Sequence, residues 1–142
     1  MMRRHFLALG TIAFMSLAPQ AFAATAINVI EDGEGGGPMS LKMDQSIIKA
    51  GEVVFSVHNA AMTEEHEMVL VKLKSADQKI TVIKGKHRID EKQLKSLGEV
   101  ADLKPGANGS LKARLSPGHY MLFCNIMGHY EAGMHGTLTV TK

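Results

Sequence analysis

Residues 111–141 fall into three short alternating runs separated by a turn and a loop, and no other feature narrows the fold as much. Leu111, Ala113 and Leu115 alternate with Lys112 and Arg114, and Ser116-Pro117-Gly118 then turns the chain. Tyr120, Leu122 and Cys124 share one face of the next run, while Leu138 and Val140 alternate with threonines in the last, Thr137 to Thr141. Side chains repeat every two residues only in extended backbone, so these runs read as strands with one face buried and the other wet. The loop from Asn125 to Gly136 would then cross one end of a β-structure.

The same pattern extends upstream. Ala26–Ile30 is a short candidate strand, Glu31–Pro38 (EDGEGGGP) a Gly-rich acidic loop, and Met39, Leu41 and Met43 alternate with Ser40, Lys42 and Asp44. Ile47-Ile48 leads to a turn at Ala50-Gly51, after which Val53, Phe55 and Val57 share one face of a strand ending at Asn59. Beyond Ala60–Glu65 comes His66, then a strand from Glu67 to Lys74 with Val69, Val71 and Leu73 on one side. Ser75–Pro105 is less regular. Ile80–Ile83 reads as a strand or the start of an insertion, and Asp90–Gly98 has an Asp N-cap, Leu94 and Leu97 one turn apart and a Gly stop, which predicts a short helix. The expected fold is all-β: a β-sandwich of about seven to eight strands, one short helix in an insertion, one domain.

Met1–His5 is short and basic, Phe6–Leu17 is apolar apart from Gly10, Thr11 and Ser16, and Ala21-Phe22-Ala23 offers a small-x-small cleavage pattern. This reads as a secretory signal over residues 1–23 rather than an anchor, which needs a longer apolar span. The mature domain is then 24–142, with no membrane span after signal removal. Of the 16 Lys and Arg, Arg3 and Arg4 leave with the signal, so 14 basic residues face 14 acidic ones. The basic residues are scattered apart from Lys84, Lys86 and Arg88, which argues against nucleic acid, and no basic amphipathic helix suggests a membrane surface.

Exported proteins pair their cysteines, yet Cys124 is alone. An unpaired thiol outside the cytoplasm is open to oxidation unless it is buried, catalytic or metal-bound. His129 follows Cys124 by five residues and Met134 follows His129 by five, so one loop offers a thiolate, an imidazole and a thioether. A fourth donor is needed, and His66, at the start of a strand between Glu65 and Glu67, is the best candidate. Two imidazoles, a thiolate and a weak thioether suit copper in both oxidation states, whereas zinc has little use for a thioether. Singly, each residue has a blander reading: an inert core cysteine, a core methionine, a satisfied histidine. Together they favour a metal. Cys124 as a nucleophile with His129 as its base leaves His66 and Met134 without roles and no acid to orient the histidine, so no enzyme activity is expected. His58, His119 and His135 read as surface residues, His87 as unpartnered in the insertion, and Met62 and Met127 as an apolar rim.

The segment Phe123–Val140 (FCNIMGHYEAGMHGTLTV), with Asn59 and His66-Glu67-Met68, resembles the cupredoxins, the small blue-copper proteins. Its Cys-x4-His-x4-Met spacing is most similar to the rusticyanin, auracyanin and sulfocyanin-like branch; the plastocyanin Cys-to-His gap is shorter. The resemblance implies a Greek-key sandwich holding one copper ion, Cu(II)/Cu(I), at one end, with His66, Cys124 and His129 as equatorial ligands and Met134 as the axial one. It implies an exported, periplasmic, monomeric carrier of single electrons that meets a redox partner protein near His129. Binding copper for tolerance, storage or delivery is the alternative. Cupredoxins often carry Asn or Ser after the first ligand histidine. Here the residue is Glu67, whose side chain is expected to point outward and leave its backbone N–H for the cysteine sulfur.

Overall fold

The computed structural model describes residues 23–142, so the expected signal over 1–23 lies almost wholly outside the described residues. In chain order the strands are β1 (Thr25–Asp32), β2 (Ser40–Met43), β3 (Ile47–Lys49), β4 (Gly51–Asn59), β5 (His66–Leu73), β6 (Val82–Ile83) and β7 (Arg88–Ile89). They continue with β8 (Lys95–Leu103), β9 (Asn108–Leu115), β10 (Gly118–Phe123) and β11 (His135–Thr141). Nine of them form a Greek-key sandwich, one sheet ordered β2-β1-β4-β9 and the other β3-β11-β10-β5-β8, while β6 and β7 make a separate hairpin. That is one or two strands more than the sequence predicts.

Alternation places the core between the sheets. Ile27 and Val29 of β1, Val53, Phe55 and Val57 of β4, Met68 and Leu70 of β5 and Leu138 and Val140 of β11 are all buried in one cluster that also takes in Cys124 and Met134. The face of β5 carrying Val69, Val71 and Leu73 does not join it. Those residues pack with Met121, Phe123 and Ile89 into a second cluster, on the outside of the five-stranded sheet, covered by Ile80, Val82 and Leu94 of the insertion. A strand buried on both faces reads as a near-continuous apolar run, which is why Met68–Val71 lacks alternation.

The expected helix over Asp90–Gly98 is not formed. Asp90 does cap, accepting from the Lys92 N–H at 3.2 Å, but only a 3-10 turn follows, Glu91–Gln93. Leu94 packs on the second cluster and Leu97 on the first. Three residues apart in extended backbone, with Leu94 just ahead of β8, they face opposite sides of the sheet, and both sides are apolar here. Gly98 is no helix stop either. It sits in β8 with φ +135°, where a Cβ would lie 2.8 Å from Leu111 Cδ1 of the opposing sheet.

Register fixes two ends. β5 begins, β10 finishes and β11 begins at the upper end, where Phe123 pairs with His135 and with Val69, and where β1 and β4 also finish. The lower end holds Thr25, Gly51, the Lys72–Lys95 pair and Thr141.

Candidate metal centre

The four predicted donors all reach the upper end. Cys124 follows β10 with its side chain on the core face, His66 is the first residue of the neighbouring β5, and the loop returns through His129 and Met134 before β11. His66, Cys124 and Met134 are fully buried and His129 is 6% exposed. The Nδ1 atoms of His66 and His129 are 3.2 Å apart, and Cys124 Sγ lies 3.4 Å from His129 Nδ1. One ligand atom from each of the three lies within 4.8 Å of the others, and this is the one such His/Cys/Asp/Glu group among the described residues. The imidazoles meet edge to face, centroids 5.1 Å apart at 71°.

Short-range bonds shape the loop. His129 N–H donates to the Ile126 carbonyl at 3.0 Å, Met134 N–H to the His129 carbonyl at 3.0 Å and Cys124 N–H to the Met134 carbonyl at 3.1 Å, so the three loop donors are tied through their own backbone. Gly133 makes this possible. Its φ is +108° and a Cβ there would sit 2.8 Å from the Met39 carbonyl oxygen, so a side chain would clash as well as strain the backbone. Asn59 fixes the segment leading to His66: its Nδ2 donates to the carbonyls of Glu64 (2.9 Å) and Leu103 (2.8 Å), and its Oδ1 accepts from Ala61 N–H (2.9 Å).

Glu67 departs from expectation. Its N–H does donate to Cys124 Sγ at 3.4 Å, but its carboxylate turns toward the ligand loop and accepts from Asn125 N–H at 3.2 Å. A carboxylate needs donors when half-buried, and the first free N–H after Cys124 supplies one. Burial raises the Glu67 pKa, with the Asn125 N–H opposing. Asn125 is held from the other side too. Its amide accepts from Ile89 N–H (2.6 Å) and donates to the Ile89 carbonyl (3.2 Å) and the Glu91 carboxylate (2.6 Å). Gly128 N–H donates to the His87 carbonyl at 2.8 Å, and the His87 ring meets Glu131 at 2.8 Å, so His87 has a partner after all. The insertion thus braces the loop.

Electrostatics favour a cation. Burial lowers both imidazole pKa values, for His129 with help from His66, which keeps the rings neutral with lone pairs to donate. Burial pushes the Cys124 thiol up to about 12, so without a metal it is no nucleophile at neutral pH. Two neutral imidazole nitrogens facing one thiol in a dry cluster fit a soft or borderline ion that ionises the thiol on binding. Sequence reasoning missed Glu31. It is fully buried on the inner face of β1, neither carboxyl oxygen has a hydrogen-bond partner, and burial followed by the charge of Glu67 raises its pKa to about 8. The expected strand ends at Ile30; two more residues put Glu31 in register with Ile27 and Val29.

The remaining histidines lie apart: His58 bonds Asn108 at 3.0 Å, and the exposed His135 tilts against the Tyr130 ring, centroids 4.7 Å apart. Residues 27–141 match the copper binding proteins of the plastocyanin/azurin family. The chain belongs to that family. It is a cupredoxin, and copper is the metal its donor set suits. Auracyanin-B of Chloroflexus aurantiacus is 49% identical over 47 residues, a stretch covering 32% of this chain and 20% of that protein. The match therefore spans a fifth of that relative's length. Among solved structures, dithionite-reduced auracyanin from Roseiflexus castenholzii superposes with TM-score 0.58 at 20% identity, over 85% of this chain and all of that one. Reduced rusticyanin gives TM-score 0.58 at 19% identity, over 84% and 82%. At these identities the likeness is one of fold.

Proposed function

We propose that this cupredoxin is an exported type 1 copper protein that carries single electrons between redox partners, and that His66, Cys124, His129 and Met134 would hold the copper. The observation that carries it is the convergence of two Nδ1 atoms and one Sγ in a water-excluded cluster, with the buried Met134 closing the same loop. Bound there, copper supplies a one-electron Cu(II)/Cu(I) couple. The chain's part is to hold the donors still. The backbone ties of the 124–134 loop, the Glu67 N–H on the sulfur and the insertion behind Asn125 fix ligand positions that either oxidation state must accept.

Access is through His129. A depression of about 620 Å³ lies over this ring, lined by Gly35, Met39, Ile126, Met127 and Ala132 beside it. Met127 and Met62 are 62% and 86% exposed. A redox partner docks here through a small, transient interface. The protein acts as a monomer in the periplasm, its signal removed after residue 23, and performs no catalysis of its own. Among the described residues no helix is long and apolar enough to cross a membrane.

Copper tolerance, storage or delivery is the competing role for the same ligands. The one ligand cluster among the described residues, with the His58 and His87 rings hydrogen-bonded elsewhere, favours the carrier. Titration with Cu(II) and voltammetry test it: one copper per chain and a reversible one-electron wave are expected. Several coppers per chain, or copper held without a reversible wave, would favour handling.

A further inference from the structure

The near-neutral balance of the mature chain conceals a separation of charge that only the fold reveals. Along the lower rim of the five-stranded sheet stand Lys49 at the end of β3, Lys72 and Lys74 at the end of β5, and Lys95, which opens β8 opposite Lys72. Lys79 joins Lys74 around a hollow of about 440 Å³ whose apolar floor is Ile89 and Leu94 and whose one acid is Asp90. The other acids at this end are Asp77 and Glu52, the latter paired with Lys112 at 3.3 Å. The upper end is the reverse. Asp32, Glu34, Glu64, Asp102 and Glu131 surround it; its bases are Lys104, paired with Glu65, Arg88 beside the His129 depression, and Lys84 and Lys86 in the turn before His87, whose carbonyl accepts from Gly128 N–H.

We propose that the lower rim is a docking surface for an anionic lipid bilayer, which holds the metal centre pointing away from the membrane. Charge complementarity selects the occupant: lysines spread along one end of the sheet, from β3 at one edge to β8 at the other, with the Lys72 ammonium also bonded to Ser116 Oγ at 2.6 Å, match an anionic headgroup plane. The acidic upper end is meanwhile repelled by the same surface, so orientation follows from both ends. No basic helix is involved; the basic surface is the edge of a sheet. The inference does not depend on the metal site or on electron transfer.

Vesicle co-sedimentation tests it, using the chain from Ala24, which contains all the described strands and both core clusters. Binding is expected to vesicles of equal parts phosphatidylglycerol and phosphatidylcholine, and not to phosphatidylcholine alone, and it should be lost at molar salt. Each basic residue near such a surface is worth roughly fivefold in affinity. Lys74→Gln/Lys79→Gln/Lys95→Gln should therefore weaken binding by on the order of a hundredfold, with Lys42→Gln, on an exposed face of β2, changing it little. Circular dichroism checks that the triple variant stays folded. Equal binding to neutral vesicles, or full binding by the triple variant, overturns the proposal. So does retention on heparin without binding to vesicles, which would point to an acidic macromolecule, and so does salt-sensitive dimerisation that occupies the rim.

Discussion

The backbone N–H of Glu67 reaches the sulfur of Cys124 across 3.4 Å, while the carboxylate of the same residue holds the next N–H along, that of Asn125, at 3.2 Å. One residue thus grips the cysteine's strand end twice, once at the ligand atom and once at the backbone. A hydrogen bond on a thiolate and a negative charge nearby tune a metal in opposite directions. Glu67→Gln keeps an acceptor for Asn125 and removes the charge. The reduction potential of the copper-loaded variant should rise by tens of millivolts at neutral pH and above. A potential that is unchanged or lower would show that the carboxylate is not sensed at the centre.

Asn125 is the joint between ligand loop and insertion. Asn125→Ala strips the Ile89 N–H and carbonyl and the Glu91 carboxylate of their buried partner, at about 1–3 kcal/mol for each group left unsatisfied. Urea denaturation should show a loss of about 2–4 kcal/mol. Hydrogen exchange should quicken at Gly128 and His129 more than in β4. Uniform loosening would make Asn125 a general core residue instead.

Glu31 makes stability depend on pH. Its pKa is about 8 in the folded chain, against 4.5 for a carboxyl in water. Between those values the unfolded chain binds fewer protons than the folded one, so stability falls as pH rises from about 4.5 to 8 and is fully present only below that window. The depressed imidazoles of His66 and His129 act oppositely, losing stability as pH falls below 6.5. Glu31→Gln isolates the first effect. The metal-free variant should gain a few kcal/mol over the parent near pH 8 and little near pH 4. A gain independent of pH would mean that Glu31 is not the titrating group.

Gly133→Ala tests the loop's geometry. The positive φ and the 2.8 Å approach to the Met39 carbonyl predict a loss of about 1–3 kcal/mol and weaker copper binding, because Met134 is the next residue. Unchanged affinity would mean that the loop tolerates displacement there.

The convergence of His66, Cys124 and His129 is legible in sequence because two of the three lie on the single stretch Cys124–Met134, and local spacing survives folding intact. His66 is within reach for a related reason: it opens a strand beside the cysteine's own. The features hidden from sequence depend on contacts far apart in the chain. β8 reads as a helix because Leu94 and Leu97 sit one turn apart, and nothing local says that both faces of the sheet are apolar. The inward turn of Glu67 depends on Asn125, 58 residues away. The charge separation is invisible in order of sequence, since Lys49, Lys72 and Lys95 come to one end of the molecule only when β3, β5 and β8 enter the same sheet.

The central claim is that Cys124 Sγ binds copper together with His66 and His129. The direct measurement is the absorption spectrum of the purified chain on addition of one equivalent of Cu(II). An intense visible thiolate-to-copper charge-transfer band, absent from Cys124→Ala and altered in His129→Ala, is the predicted result. A chain that binds Cu(II) without such a band, or a band that survives Cys124→Ala, would contradict it.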